Sequence, residues 1–114
     1  MLRLLISLGI RGVDAEVYLY LATTQPKKGR ELYDKLKMDK HKLYRSLRRL
    51  KKKGLVKASP EHPSIFTAIT LEHSLDSFRD SKLEEAEFIK EKKDELLSRW
   101  KTVIEKNQQK KDLK

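Results

Sequence analysis

Residues Lys40 to Lys53 read KHKLYRSLRRLKKK, fourteen positions with eight Lys or Arg and no acid. The chemistry open to such a set is binding: ammonium and guanidinium groups hold a polyanion by charge and by donated hydrogen bonds. Leu43, Leu47 and Leu50 follow i, i+4, i+7 spacing, which writes one apolar face on an α-helix and leaves the cations on the rest of its surface. A helix docked by one side and strongly positive on the other suits a polyanion such as duplex DNA.

Other chemistries lack their residues. The chain has no cysteine, which removes disulfides, thiol nucleophiles and Cys-ligated zinc. His41, His62 and His73 are isolated, without metal-ligand spacing, so no metal is expected. The four glycines are dispersed and form neither a Walker loop nor G-x-G-x-x-G, so no cofactor is expected either. Glu84 and Glu85 alternate in sign with Lys82, Lys90 and Lys92, as on a solvated helix. The sequence therefore predicts a binding protein rather than an enzyme, with no evident small-molecule ligand. Met1 to Ile10 is apolar but short, carries Arg3 and lacks a signal-cleavage pattern. No stretch approaches a membrane span, so a cytoplasmic location is expected.

Charge divides the chain. Residues 1–70 hold 16 basic and 6 acidic residues, whereas 71–114 hold 11 of each, so the entire net charge of +10 lies in the first part. The elements of that part follow from local signals. Leu2, Leu4, Leu5, Ile6 and Leu8 suggest a short buried helix ending at Gly9. From Asp14, Ala15, Val17, Tyr18, Leu21 and Ala22 share a helical face that stops before Pro26. Residues 28–37 form a third helix with Leu32 and Leu36 inward, and Asp39 is placed to cap the basic helix. Gly54 stands where a glycine should end it. Residues 55–59 and 65–69, separated by Pro60-Glu61-His62-Pro63-Ser64, read as a β-hairpin. Two close helices followed by a hairpin make a winged helix-turn-helix over residues 1–70. The fold class expected is mainly α with a small β-hairpin wing.

Thr70 is the expected cap of a final helix over 71–106, roughly 50 Å long at about 1.5 Å per residue, before a frayed polar tail over 107–114. Ala86, Ile89, Lys93, Leu96, Trp100 and Val103 alternate in 3- and 4-residue steps, with Leu97 and Ile104 widening the stripe. Ala86, Ile89, Leu96, Leu97, Trp100, Val103 and Ile104 are the expected coiled-coil interface of a homodimer, although the helix has the alternative of folding across its own domain. Trp100 reads as an interface residue rather than a base-stacking platform.

With the elements placed, the sequence resembles the DNA-binding domain of archaeal TrmB-like transcriptional regulators. The resemblance covers roughly residues 5–78. It is carried by Leu8-Gly9-Ile10, Ala15 and Val17-Tyr18-Leu19 with Leu21, Glu31-Leu32, Lys42-Leu43-Tyr44, Gly54-Leu55-Val56, and Phe66-Thr67-Ala68 with Leu71-Glu72. Arg11, Tyr33 and Lys37 depart from it, standing where a Ser/Thr cap, a small Ala and a turn glycine are usual. Nothing corresponds to the family's sugar-binding effector domain, so sugar sensing is not expected of this chain.

The first half of a recognition helix enters the major groove, making Lys40, His41, Lys42, Arg45 and Ser46 the base-reading candidates. Lys27, Lys28, Arg30, Arg48, Arg49, Lys51, Lys52 and Lys53 are phosphate candidates, and Lys57, Ser59, His62 and Ser64 are wing contacts. Tyr44 is expected to pack. The expectation is a homodimeric, sequence-specific regulator that binds double-stranded DNA, its two recognition helices spaced about 34 Å apart for successive major grooves. A winged-helix protein adaptor and a non-specific architectural nucleic-acid binder are the alternatives.

Overall fold

Asp39 starts the basic helix: its Oδ2 accepts from the backbone N–H groups of His41 at 3.0 Å and Lys42 at 3.2 Å. At the other end Gly54, at φ +79°, closes a double turn in which Gly54 N donates to Lys51 O at 3.1 Å and Leu55 N to Leu50 O at 2.9 Å. The computed structural model describes residues 1–112, with side chains through residue 108. In chain order it has α1 (Leu2–Ser7), α2 (Gly12–Ala22), β1 (Lys27–Lys28), α3 (Gly29–Leu36), α4 (Lys40–Lys52), β2 (Val56–Ala58), β3 (Ile65–Ala68) and α5 (Leu71–Asp112). Helices α3 and α4 form the helix-turn-helix, β2 and β3 the wing, and a long C-terminal helix follows.

The wing is larger than the expected hairpin. β3 pairs antiparallel with β2 on one side and with β1 on the other, Lys27 opposite Phe66 and Lys28 opposite Ile65, giving a three-stranded sheet in the order β1-β3-β2. The open edge of β3 takes up the extended residues that lead into α3. Between α3 and α4 the turn is made by Lys37 at φ +52°, and Met38 N donates to Tyr33 O at 3.0 Å. A left-handed turn is thus formed without its usual glycine.

Leu43, Leu47 and Leu50 of α4 pack into a core with Ala15, Val17, Tyr18 and Leu21 of α2, joined by Leu32, Leu55, Val56 and Phe66. The Tyr18 hydroxyl donates to Ile69 O at 2.6 Å, tying α2 to the end of the wing. Two expectations of burial fail. Of the α1 apolar residues only Leu5 is fully buried, because a six-residue helix lying on a domain presents one side to it. Ala22, at the last turn of α2, is exposed.

The chain divides into two compact units, residues 1–78 and 79–114. Thr70 Oγ1 caps α5 by accepting from His73 N at 3.3 Å. Helix α5 continues to Asp112, past the end expected near residue 106. Of the tail expected over 107–114, residues 113 and 114 lie outside the described residues.

Candidate nucleic-acid interface

At about 100° per residue, the leucines of α4 define its inward side, and His41, Arg45, Arg48 and Lys52 form the stripe opposite. All four are exposed. Lys40 and Lys51 flank the stripe on one side and Lys42 on the other, also exposed. The outward surface of α4 thus presents six Lys or Arg and one His, with no carboxylate. Ser46 is a correction to the base-reading set: it is fully buried, and its Oγ donates to Asp14 Oδ1 at 2.6 Å.

Asp14, in the first turn of α2, is 0 % exposed and accepts three hydrogen bonds from α4. Besides Ser46, Arg49 grips it with both edges of a fork, Nε to Oδ2 and Nη2 to Oδ1, each at 2.8 Å. Burial alone would raise the Asp14 carboxyl. The hydrogen bonds from Arg49 and Ser46 and the charges of Arg49 and Lys53 outweigh it and hold the group below its usual value. The same contact raises the Arg49 guanidinium. The sequence counts Arg49 among the phosphate contacts, and the structure corrects this. The Arg49 side chain is 29 % exposed and committed to fixing α4 against α2, because the buried carboxylate needs a counter-charge. Lys53 is half-buried, its Nζ donating to Gly9 O at 3.2 Å.

The remaining candidates lie on the sheet and its edges. Lys27 and Lys28 form β1, and Arg30 is exposed in the first turn of α3. Glu31 Oε1 accepts from Lys28 N at 3.2 Å, placing a carboxylate at that helix start. In the wing, Lys57 and His62 are exposed, while the serines serve the loop: Ser59 Oγ accepts from Ile65 N at 2.8 Å and Ser64 Oγ donates to Glu61 O at 3.0 Å. An open cleft of about 340 Å³ separates the wing (His62, Pro63, Ser64) from α4 (Tyr44, Arg48, Lys51). Tyr44 packs edge-on against Phe66, ring centres 6.3 Å apart, with its hydroxyl against Gly29. Among the described residues no cluster of His, Asp or Glu could hold a metal ion, and no helix is long and apolar enough to cross a membrane.

Sequence reasoning missed Asp14 and Gly29. Their partners stand 35 and 15 residues away, at Arg49 and Tyr44, so neither carries a local signal.

A family model described as the sugar-specific transcriptional regulator TrmB matches residues 4–72. The chain belongs to the TrmB family. TrmB proteins are DNA-binding transcriptional regulators, not enzymes, and the matched residues run from α1 through the wing. Among solved structures, the chain is similar to TrmBL2, an archaeal chromatin protein whose structure is described as showing a novel mode of DNA binding. The TM-score is 0.66 at 25% identity, over 86% of this chain and 40% of that one. The present chain thus spans about two fifths of the length of TrmBL2. A possible transcriptional regulator from Methanosarcina mazei Go1 matches with TM-score 0.57 and 15% identity, over 79% of this chain and 82% of that one. The transcriptional regulator Tm0710 from Thermotoga maritima matches with TM-score 0.56 and 19% identity, over 92% and 83%. The last two similarities establish the fold alone. No curated protein matches the chain.

Proposed function

We propose that this chain is a sequence-specific regulator that binds double-stranded DNA as a homodimer, with α4 in the major groove and the wing on the backbone or minor groove. The observation that carries the reading is the outward stripe of α4, His41, Arg45, Arg48 and Lys52, acid-free and pinned from behind by the Asp14–Arg49 fork. Near the helix start His41 and Arg45 reach base edges, with Lys40 and Lys42 to either side. Further along, Arg48, Lys51 and Lys52 meet phosphates, supported by Lys27, Lys28 and Arg30. A backbone strand passing between the two grooves crosses the cleft between α4 and the wing, where Arg48, Lys51 and His62 approach it, and Lys57 is exposed on the wing. The exposed stripe of α5, including Ile89, Leu96 and Trp100, supplies the dimer contact. Such a protein works in the cytoplasm.

Titration of labelled duplex DNA, with single-stranded DNA and duplex RNA as controls, tests this reading. Micromolar or tighter duplex binding that weakens with salt supports it, and no binding at about 100 mM salt overturns it. A second reading, a non-specific architectural binder, is favoured by the similarity to TrmBL2, a chromatin protein. Equal affinity for selected and random duplexes would establish that reading instead.

A further inference from the structure

We propose that α5 pairs with the α5 of a second copy in antiparallel register, Ala86 opposite Val103, Ile89 opposite Trp100 and Lys93 opposite Leu96. The inference rests on the homodimer reading and adds its orientation.

Among the described residues nothing covers the stripe from Ala86 to Val103, with Ile89 and Trp100 each 61% exposed on a helix otherwise rich in charge. Parallel pairing in register sets every residue against itself. Lys93 would then face Lys93, two ammonium groups in one layer of the seam, and Trp100 would crowd Trp100 while Ala86 left a gap at Ala86. Reversing one helix removes the Trp100 and Ala86 faults and moves the two Lys93 out of one layer into adjacent ones, about 4.5 Å apart along the axis. Each layer then combines a smaller with a larger residue, and the Lys93 stem lies along Leu96 while its ammonium reaches solvent.

The flanks agree with the reversed order. On one side Leu83 meets Ile104 of the second copy, and the stem of Lys90 lies along its Leu97. On the other, Glu85 meets Lys106. The same side brings Lys92 towards Arg99 of the second copy. A carboxylate already stands between such cations, since on one helix Glu95 lies 3.7 Å from Lys92 and 3.2 Å from Arg99. Lys82 and Asn107 form the polar layer at each end.

The chain has no cysteine, so single cysteines report register without interference. Ala86→Cys and Val103→Cys are made separately in the full chain, then oxidised alone and after subunit exchange. In the antiparallel pair identical positions lie 17 residues apart along the axis, about 25 Å, against the roughly 4–7 Å that a disulfide allows between Cα atoms. Neither variant alone should cross-link, and the mixture should give a covalent heterodimer by intact mass. Cross-linking of either variant with itself overturns the register and leaves the homodimer standing. A dimer by sedimentation with no cross-link in any arm places the interface elsewhere and also overturns it. A monomer by sedimentation removes the homodimer reading itself.

Discussion

Two arginines four residues apart on α4 have different tasks, and the difference is testable. Arg45 points outward, and Arg45→Ala should lose discrimination between related duplexes by about 1–3 kcal/mol while leaving the fold intact. Lys52→Ala should weaken all duplexes about equally and lower the salt dependence by about one phosphate. If both variants bound every duplex as the wild type does, the recognition-helix assignment would be wrong. Arg49→Ala should leave a buried carboxylate without its counter-charge, at a cost of about 3 kcal/mol in denaturant unfolding. The pair also sets a pH dependence. Asp14 is held below the ordinary 3.8, so the fold binds its proton less well than the unfolded chain does. Its contribution is therefore complete above pH 3.8 and is lost as the pH falls through the lowered folded value. Asp14→Asn should flatten the acid limb of a stability-against-pH curve, and an unchanged limb would remove the group from the account.

The elements were legible where their signals are local. Asp39, Gly54 and Thr70 are read as stops and starts because a cap bonds within a few residues of itself. The strand Lys27–Lys28 was not legible, since two lysines carry no β pattern and their partners, Ile65 and Phe66, lie far along the chain. The acid-free stripe of α4 follows from periodicity, but the loss of Ser46 and Arg49 from it does not. Only the position of α2 brings Asp14 beneath them. Two backbone positions follow the same division. Lys37 holds a left-handed conformation that costs a side-chain-bearing residue about 1–2 kcal/mol, so Lys37→Gly should raise stability by up to about 1 kcal/mol. Gly29 has the opposite sensitivity, because a Cβ there would collide with the Tyr44 ring and hydroxyl. Gly29→Ala should destabilise by about 1–3 kcal/mol, and by less in a Tyr44→Leu background. Additive losses in the double variant would show that the collision is relieved in some other way.

On the scale of the molecule, the net charge of +10 is confined to the residues that carry the helix-turn-helix and wing, while 71–114 are neutral overall. That separation lets one part bind a polyanion while the other avoids being drawn onto it. Two neutral helices can then pair without the repulsion that two copies of the basic surface would bring. The consequence is a distinct salt signature. If both copies of a dimer engage the duplex, with about four phosphates each, the logarithm of the affinity should fall against the logarithm of salt with a slope near −7. If one copy engages and the other only holds on through α5, the slope should be near −4, although sedimentation still reports a dimer. Measuring slope and oligomeric state on one preparation separates these cases. A slope near zero would mean that the basic surface meets no phosphate at all, whatever the dimer does.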